Sequence, residues 1–437
     1  MKFSVASLGC KTNQYEMDAL SQELIHMGLK PAPAGQAADL YILNTCTVTA
    51  EAERKARQLF RRYRRDNPDA LLVACGCFSQ RSDLTGLADL VIGTSLRDRL
   101  AGLILEAIEQ KVALPVNYAQ PWEGRAPYEE LGGIALPSET RAFLKIQDGC
   151  DNRCAYCAIC LARGPARSRT REKILEEARQ LAGQGFTEMV LTGTNINAYG
   201  SDLGRGGPVT DLAGLLTELD RVEGLERIRL GSLESTTITP DFMDRISRLD
   251  HLCPHFHLSL QSGSDRILRA MRRRDTTGQY KEAVDRIRSI FPQAGITTDL
   301  IVGFPGETDD DFDRTLEFCE EIGFLRIHVF RFSPRPGTAA ASMGGQVPAG
   351  LAADRAGRLR EKASQLAVNA IRERLGQTRP VLVEQVKRDG RVLGYSPEYI
   401  QVIGLQYAQG AEAARPGQIR SMRLDGIGEE SALAVIL

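Results

Sequence analysis

Ten cysteines, at positions 10, 46, 75, 77, 150, 154, 157, 160, 253 and 319, are the residues best able to carry chemistry in this 437-residue chain. Cys150, Cys154 and Cys157 form a CxxxCxxC set within IQDGCDNRCAYCAIC. The set follows an apolar run that predicts a strand, which places it on a loop where three thiolates can converge on one face of a cubane cluster. Three ligands leave one iron open. Such a vacancy can take the amino and carboxylate groups of S-adenosylmethionine (SAM), whose sulfonium is cleaved to a 5'-deoxyadenosyl radical by an electron from the cluster. Structural zinc favours four ligands and paired CxxC or Cys/His spacings, so it fits this spacing less well. Cys160 could add a fourth thiolate and close the site; the preferred reading packs it beside the cluster as a small apolar residue.

Eight of the ten cysteines lie in the first 160 residues. In a long chain whose N-terminus, MKFSVASLGCKTNQYE, lacks a signal-peptide apolar core, they read as metal chemistry rather than a disulfide framework. Cys253 and Cys319 read as packed thiols. No run approaches the ~18 apolar residues of a membrane span, and the expected location is the cytoplasm. A net charge of -1 gives no global pull towards nucleic acid or an anionic membrane, so an RNA-binding face must be a local patch.

The elements that must position these residues follow from periodicity. FSVASLG, DLYILNTC, ALLVACGC and ADLVIG alternate with helix-like stretches, which predicts a parallel sheet covered by helices over residues 1–115. Cys10, Cys46 and Cys77 each end an apolar run, and carboxyl ends of parallel strands gather at one sheet edge. The alternative is three buried thiols. The stretch 116–140, rich in proline and glycine, reads as a linker. From 141 to 372, FLKIQ, EMVLTG, RIRLGSLES, HFHLSL, TTDLIVGF and RIHVFRFS alternate with helices beginning near Arg171, Thr210, Pro240, Asp265 and Asp309. Six βα units predict an open (β/α)6 barrel with its chemistry at the strand C-termini. Helical residues from about Leu351 to Leu375 precede short runs over 373–437 that predict a small antiparallel barrel. The fold class is α/β.

These residues resemble the radical SAM superfamily, and the resemblance extends beyond the triad. LTGTN at 191–195, HLSLQSGSD at 257–265, IVGFPGET at 301–308 and FRFSPRPGT at 330–338 match the methylthiotransferase family in order and spacing. LGCKTNQYE, LNTCTVT and ACGCFSQ match its three N-terminal segments. The resemblance implies two 4Fe-4S clusters, one on Cys150, Cys154 and Cys157 with SAM, the other on Cys10, Cys46 and Cys77. Cys75 falls two residues before the family position and reads as a strand residue. It further implies that the second cluster's open iron holds sulfide or polysulfide, that one SAM methylates this sulfur, and that a second SAM yields the radical activating the substrate carbon. The local wording looks most like the branch that converts N6-threonylcarbamoyladenosine at position 37 of tRNA to its 2-methylthio form. Its partners would be tRNA, a reductant and a sulfur donor. The other branches act on isopentenyladenosine-37 or a ribosomal-protein aspartate, and the competitor from another class is a non-catalytic iron–sulfur RNA-binding sensor. The sequence departs from the family at Cys160, Leu161 and Asn197, where Pro, Tyr and Gly are usual.

Tyr156 fills the usual aromatic position before the third cysteine. Strand-end placement puts Gly193, Asn195, Glu234 and Gln261 near SAM; each could instead satisfy backbone groups at the barrel mouth. The segment ERKARQLFRRYRRDNP is a candidate phosphate-contacting helix or a solvated helix face. Arg163, Arg167 and Arg169, beside the first cluster's loop, read as RNA-binding or fold-locking residues. The C-terminal segment resembles the TRAM domain of RNA-modifying enzymes. The five histidines show no metal-ligand spacing on a helix, and His257 reads as a packed strand residue.

Overall fold

The computed structural model describes residues 1–33, 35–124, 126–131, 140–204 and 211–437. Its first sheet is parallel throughout, in the order Lys30–Pro31, Lys2–Ser7, Leu40–Thr45, Leu71–Gly76, Leu90–Val91, Val116–Asn117. Every residue of Leu40–Thr45 is buried, as a central parallel strand with helices on both faces requires. Met17, Leu20 and Leu24 of helix Lys11–His26 and Leu103 and Ile104 of Leu100–Ile108 pack on one face. Ala56 and Phe60 of Ala50–Asp66 pack on the other. Phe60 is thus core, and Tyr63 stacks on Tyr41 at 4.3 Å, so neither interleaved aromatic of the basic helix is free to meet a base.

Val116–Asn117 pair with Leu90–Val91, so the first sheet runs two residues beyond the expected boundary at 115. The rest of the expected linker belongs partly to the fold: Trp122 lies under the Arg167 guanidinium at 4.1 Å. Residues 125 and 132–139 of that stretch, and Thr210, lie outside the described residues.

The central region is a parallel barrel wall in two parts. Arg227–Arg229, Glu188–Thr192 and Ala142–Lys145 form one sheet; Ser232–Leu233, His255–Leu258, Gly295–Val302 and Arg326–Arg331 form the other. The third βα unit supplies both halves, because its strand breaks at Leu230–Gly231. A Cβ at Gly231 would lie 2.7 Å from the Leu191 carbonyl oxygen, a contact only glycine permits. Helices Arg171–Gly183, Leu212–Leu219, Pro240–Ile246, Thr277–Ile290 and Asp309–Ile322 cover the outside over one continuous core. Thr276 and Thr308 start the last two with capping boxes. Among the described residues no strand pairing joins Arg326–Arg331 to Ala142–Lys145, so the barrel is open there. The N-terminal helix Lys11–His26 approaches that edge, with Tyr15 and Ala19 against Phe143.

Helix Ala349–Arg372 leads to a closed five-stranded barrel of Thr378–Val386, Val392–Tyr395, Gln401–Tyr407, Ala432–Ile436 and Ile419–Ile427. It is not wholly antiparallel as expected: Gln401–Tyr407 and Ala432–Ile436 pair in parallel, which closes the cylinder. This barrel docks against the N-terminal ends of the central strands. Arg229 donates to the Pro397 and Ser396 carbonyls at 2.8 and 3.2 Å, and Tyr399 stacks on His255 at 4.6 Å. No described helix is long and apolar enough to cross a membrane.

Candidate functional site

The loop after Ala142–Lys145 carries Cys150, Cys154 and Cys157. Gly149 turns the chain with φ +72°, and its missing side chain lets the Pro165 carbonyl lie where a Cβ would be, 2.0 Å away. The Cys150 amide then donates to Gly164 at 3.0 Å, closing the loop. Cys154, Cys157 and Cys160 line one cavity of about 570 Å³, and Cys150 and Cys160 line a neighbouring one of about 430 Å³. Cys160 Sγ meets the Cys157 carbonyl at 3.9 Å. Burial pushes the Cys157 thiol up to about 12, with Cys154, Cys160 and Cys150 adding to the effect. Coordination by a metal removes such protons. Polar groups reach each sulfur: Asn195 Nδ2 lies 3.6 Å from Cys150 Sγ, the Ile159 amide 3.5 Å from Cys157 Sγ, and Arg273 and Tyr156 hydrogen-bond Cys154.

Cys10, Cys46 and Cys77 come together at the carboxyl edge of the first sheet. Gly9, at φ +109°, has Cys46 Sγ where a Cβ would clash at 2.9 Å, so positions 10 and 46 are brought side by side. Gly76, at φ +100°, turns the chain from strand Leu71–Gly76 into helix Cys77–Arg81. Burial raises the Cys46 thiol to about 12, and Cys77 and Cys10 raise it further. Cys75 points the other way, into the core with Leu40, Ile42 and Val73, its thiol donating to Leu43 O at 3.7 Å. Each set offers three soft sulfur donors and no fourth protein ligand is required, a donor set that fits a 4Fe-4S cluster with one open iron.

Between the two sets lies a buried ionic network. Arg163, 2% exposed, donates to Glu16 and Asp148 at 2.9 Å, to Asn13 Oδ1 at 2.7 Å, and through Nε to Cys77 Sγ at 3.3 Å. Lys145 adds Glu16 at 2.8 Å and Asp148 at 2.7 Å, and Arg97 also pairs with Glu16. Burial alone would raise Glu16 and Asp148, but Arg163 leads the cations that hold both carboxyls below the usual range. Arg167 is 3.8 Å from Asp148, so four cations face two carboxylates beside the cysteines. A positive surplus suits anionic iron–sulfur thiolate sites. Arg169 pairs with Glu130 and Glu177. The RNA-binding reading of Arg163, Arg167 and Arg169 is therefore corrected: all three are buried and lock the fold, and a guanidinium without solvent access does not meet a phosphate.

The residues expected near SAM are spread around the first triad. Tyr156 and Gln261 line a cavity of about 180 Å³ with Cys157, Asp299, Ile301 and Phe330. Gln261 sits at φ +77°, an uncommon value for a side-chain-bearing residue, held by hydrogen bonds to Asp299 and Ile301. Glu234 accepts from Asn152 at 2.6 Å and lies 3.6 Å from Arg273, on the other flank of Cys154. Gly193 faces inward to the Gln147 carbonyl, 2.9 Å from an added Cβ, so its smallness serves packing. Asn197, a departure from the family pattern, ties the wall together: it donates to Asn195 at 2.6 Å and accepts from the Glu234 amide at 3.0 Å. Sequence reasoning missed Lys11, Glu16, Asp148, Arg273, Asp299 and His328, which the structure places in or beside the site. Glu16 meets Lys145 and Arg163, and Arg273 meets Glu234, across long stretches of chain, pairings that no local pattern reveals. His257 packs in its strand yet turns its ring inward, 3.4 Å from Asp299.

This wall of parallel strands with a cysteine loop at its mouth is a radical SAM fold. A model of the Radical SAM superfamily matches residues 144–319, and one described as uncharacterized protein family UPF0004 matches residues 2–92. The chain is similar at 16% identity and TM-score 0.57 to the radical SAM methyltransferase TsrM from Kitasatospora setae, over 78% of this chain and 75% of that one. It is 38% identical to the threonylcarbamoyladenosine tRNA methylthiotransferase MtaB of Thermotoga maritima, covering 98% of this chain and 96% of that protein. It is 36% identical to the protein of the same name from Chlamydia pneumoniae, over 100% and 98%. Identity to the tRNA-2-methylthio-N(6)-dimethylallyladenosine synthase of Pelotomaculum thermopropionicum is 36%, over 89% and 88%. The chain belongs to the radical SAM methylthiotransferase family.

Proposed function

We propose that this enzyme places a methylthio group at C2 of N6-threonylcarbamoyladenosine at position 37 of tRNA, in the cytoplasm. Cys150, Cys154 and Cys157 hold one 4Fe-4S cluster with SAM; Cys10, Cys46 and Cys77 hold the second, and Cys160 stays off the iron. The observation that carries this reading is the meeting of two three-cysteine sets across Arg163, a guanidinium bonded at once to the first loop's Asp148 and to Cys77. When bound, the clusters and SAM supply a radical able to take hydrogen from an aromatic carbon and a sulfur to replace it.

The chain's own side chains do the positioning. Asn195 fixes Cys150 and is itself fixed by Asn197. Tyr156 and Gln261 line a cavity to which Ile301, Phe330 and Phe332 contribute apolar walls. The first sheet and its cysteines, 1–117, form the sulfur-bearing domain; 141–372 form the radical domain; 373–437 form a TRAM-like RNA-binding barrel. A reductant and a sulfur donor complete the partners. The relatives named for threonylcarbamoyladenosine favour that nucleoside over its dimethylallyl counterpart.

The test is anaerobic reconstitution with iron and sulfide, then reaction with SAM, dithionite and anticodon stem-loops carrying either nucleoside. The expected result is 5'-deoxyadenosine together with methylthio mass on the threonylcarbamoyl RNA. Methylthio mass only on the dimethylallyl RNA would transfer the enzyme to the other branch, and SAM cleavage with neither RNA modified would contradict the reading.

A further inference from the structure

The lumen of the partial barrel beneath the candidate site is charged and reachable. His257, Asp299 and His328 stand on three successive strands with their ligand-type atoms within 4.8 Å of one another. Thr297 Oγ1, 3.0 Å from both His255 Nε2 and His257 Nδ1, fixes the His257 ring. His328 is exposed to the opening, and Asp299 also lines the cavity of Tyr156 and Gln261, so the group is continuous with that cavity.

Lys11, the residue after Cys10, lies close enough to His255 and His328 of this lumen to act on both electrostatically. Its charged neighbours are Arg141, Arg229 and Glu188, with Tyr399 beside them. Its Nζ has no hydrogen-bond or ion-pair partner among the described residues. The other inward cations are largely engaged: Arg229 with Glu188 at 2.7 Å, and Arg141 with Glu384 at 2.7 Å. Arg326, two residues before His328 on the same strand, adds positive charge near it. Two histidines and a carboxylate are also a donor set for a transition metal. The surrounding cations decide between the two occupants, because a lumen already richer in positive charge opposes a divalent ion and attracts an anion.

We propose that this lumen receives the carboxylate-bearing N6 substituent of the substrate nucleoside. Lys11 and His328 pair with the carboxylate, and Asp299 accepts from the substituent's N–H or O–H groups. The inference rests on the threonylcarbamoyladenosine reading, and it supplies a reason for that specificity: a dimethylallyl group has no charge to satisfy Lys11.

The experiment uses the reconstituted full chain and two stem-loops of one sequence, one with threonylcarbamoyladenosine and one with its methylamide, in which the carboxylate is neutral. Wild type should favour the acid by about tenfold or more in kcat/KM, as sites built to pair a polar group reject analogues lacking it. Lys11→Met and His328→Asn should lose that preference through a higher KM for the acid, with iron content unchanged. Should Lys11→Met lose iron because of its neighbour Cys10, His328→Asn still decides the matter. Equal use of acid and amide by wild type, or an acid preference retained in His328→Asn, would overturn the inference while leaving the functional reading intact. So would a divalent metal, beyond cluster iron, that His328→Asn removes without changing the preference. Modification of neither RNA by wild type would instead bring down the functional reading, and this inference with it.

Discussion

Arg163 connects the two cysteine sets, and it does so at a cost that its partners offset. A guanidinium 2% exposed is stable only with its charge met, and Glu16 and Asp148 meet it. Arg163→Met should destabilise the protein by about 3 kcal/mol, the low end for a broken buried pair, because Lys145 and Arg97 still serve the carboxylates. Thermal unfolding of the reconstituted protein checks this. Arg163→Lys retains the charge without the fork that reaches Cys77, so the spectrum of the second cluster should shift more than stability does. Cys75 and Cys77 separate just as cleanly. In a background lacking Cys150, Cys154 and Cys157, Cys75→Ala should keep its iron and Cys77→Ala should lose it, as measured by iron per chain. That Cys77 lies beside Cys46 while Cys75 packs in the core was legible from Cys77's place at a run's end. A stronger signal went unread: Gly9–Cys10, Gly76–Cys77 and Gly149–Cys150 are each a glycine at positive φ followed by a cysteine. Such glycines turn a strand end so that the next side chain faces the sheet's edge. For Arg163, Arg167 and Arg169 the sequence could not choose between RNA binding and fold locking, because a basic run looks the same whether it faces phosphate or carboxylates supplied from residues far away in the chain.

At the scale of elements, alternation of apolar runs and helical stretches revealed the parallel sheets and the six βα units, since period and length are local properties. What escaped was set by contacts between elements. The third strand breaks at Gly231 because the Leu191 carbonyl occupies its side-chain space, and the last barrel closes through a parallel pair because two non-adjacent strands meet. Docking of that barrel depends on another glycine. A Cβ at Gly295 would lie 2.0 Å from the Glu398 backbone oxygen, a collision with main chain that no rotamer relieves. Gly295→Ala should therefore loosen the C-terminal barrel while sparing the first sheet. Limited proteolysis should show faster cleavage near 373–378, with both clusters retained after reconstitution. Unchanged cleavage would mean that the interface yields without separating.

The whole molecule brings together an N-terminal sheet and a central barrel wall, each packed around its own core. The N-terminal helix links them: Cys10 precedes it, Glu16 anchors the ionic network, and Tyr15 donates to Glu177 of the central region at 3.0 Å. One helix thus follows Cys10, carries Lys11, which has no ion-pair partner among the described residues, and supplies the main interdomain ion pairs, which bring the two cysteine sets close together. That closeness is what the proposed delivery of sulfur to an activated substrate requires. The most direct measurement is nucleoside mass spectrometry of total tRNA from cells lacking this chain and from the same cells with it restored. The 2-methylthio form of N6-threonylcarbamoyladenosine should vanish, leaving its unthiolated parent, and should return with wild type but not with Cys77→Ala. Persistence of that nucleoside in the deficient cells, or loss of the isopentenyl-derived methylthio nucleoside in its place, would contradict the account.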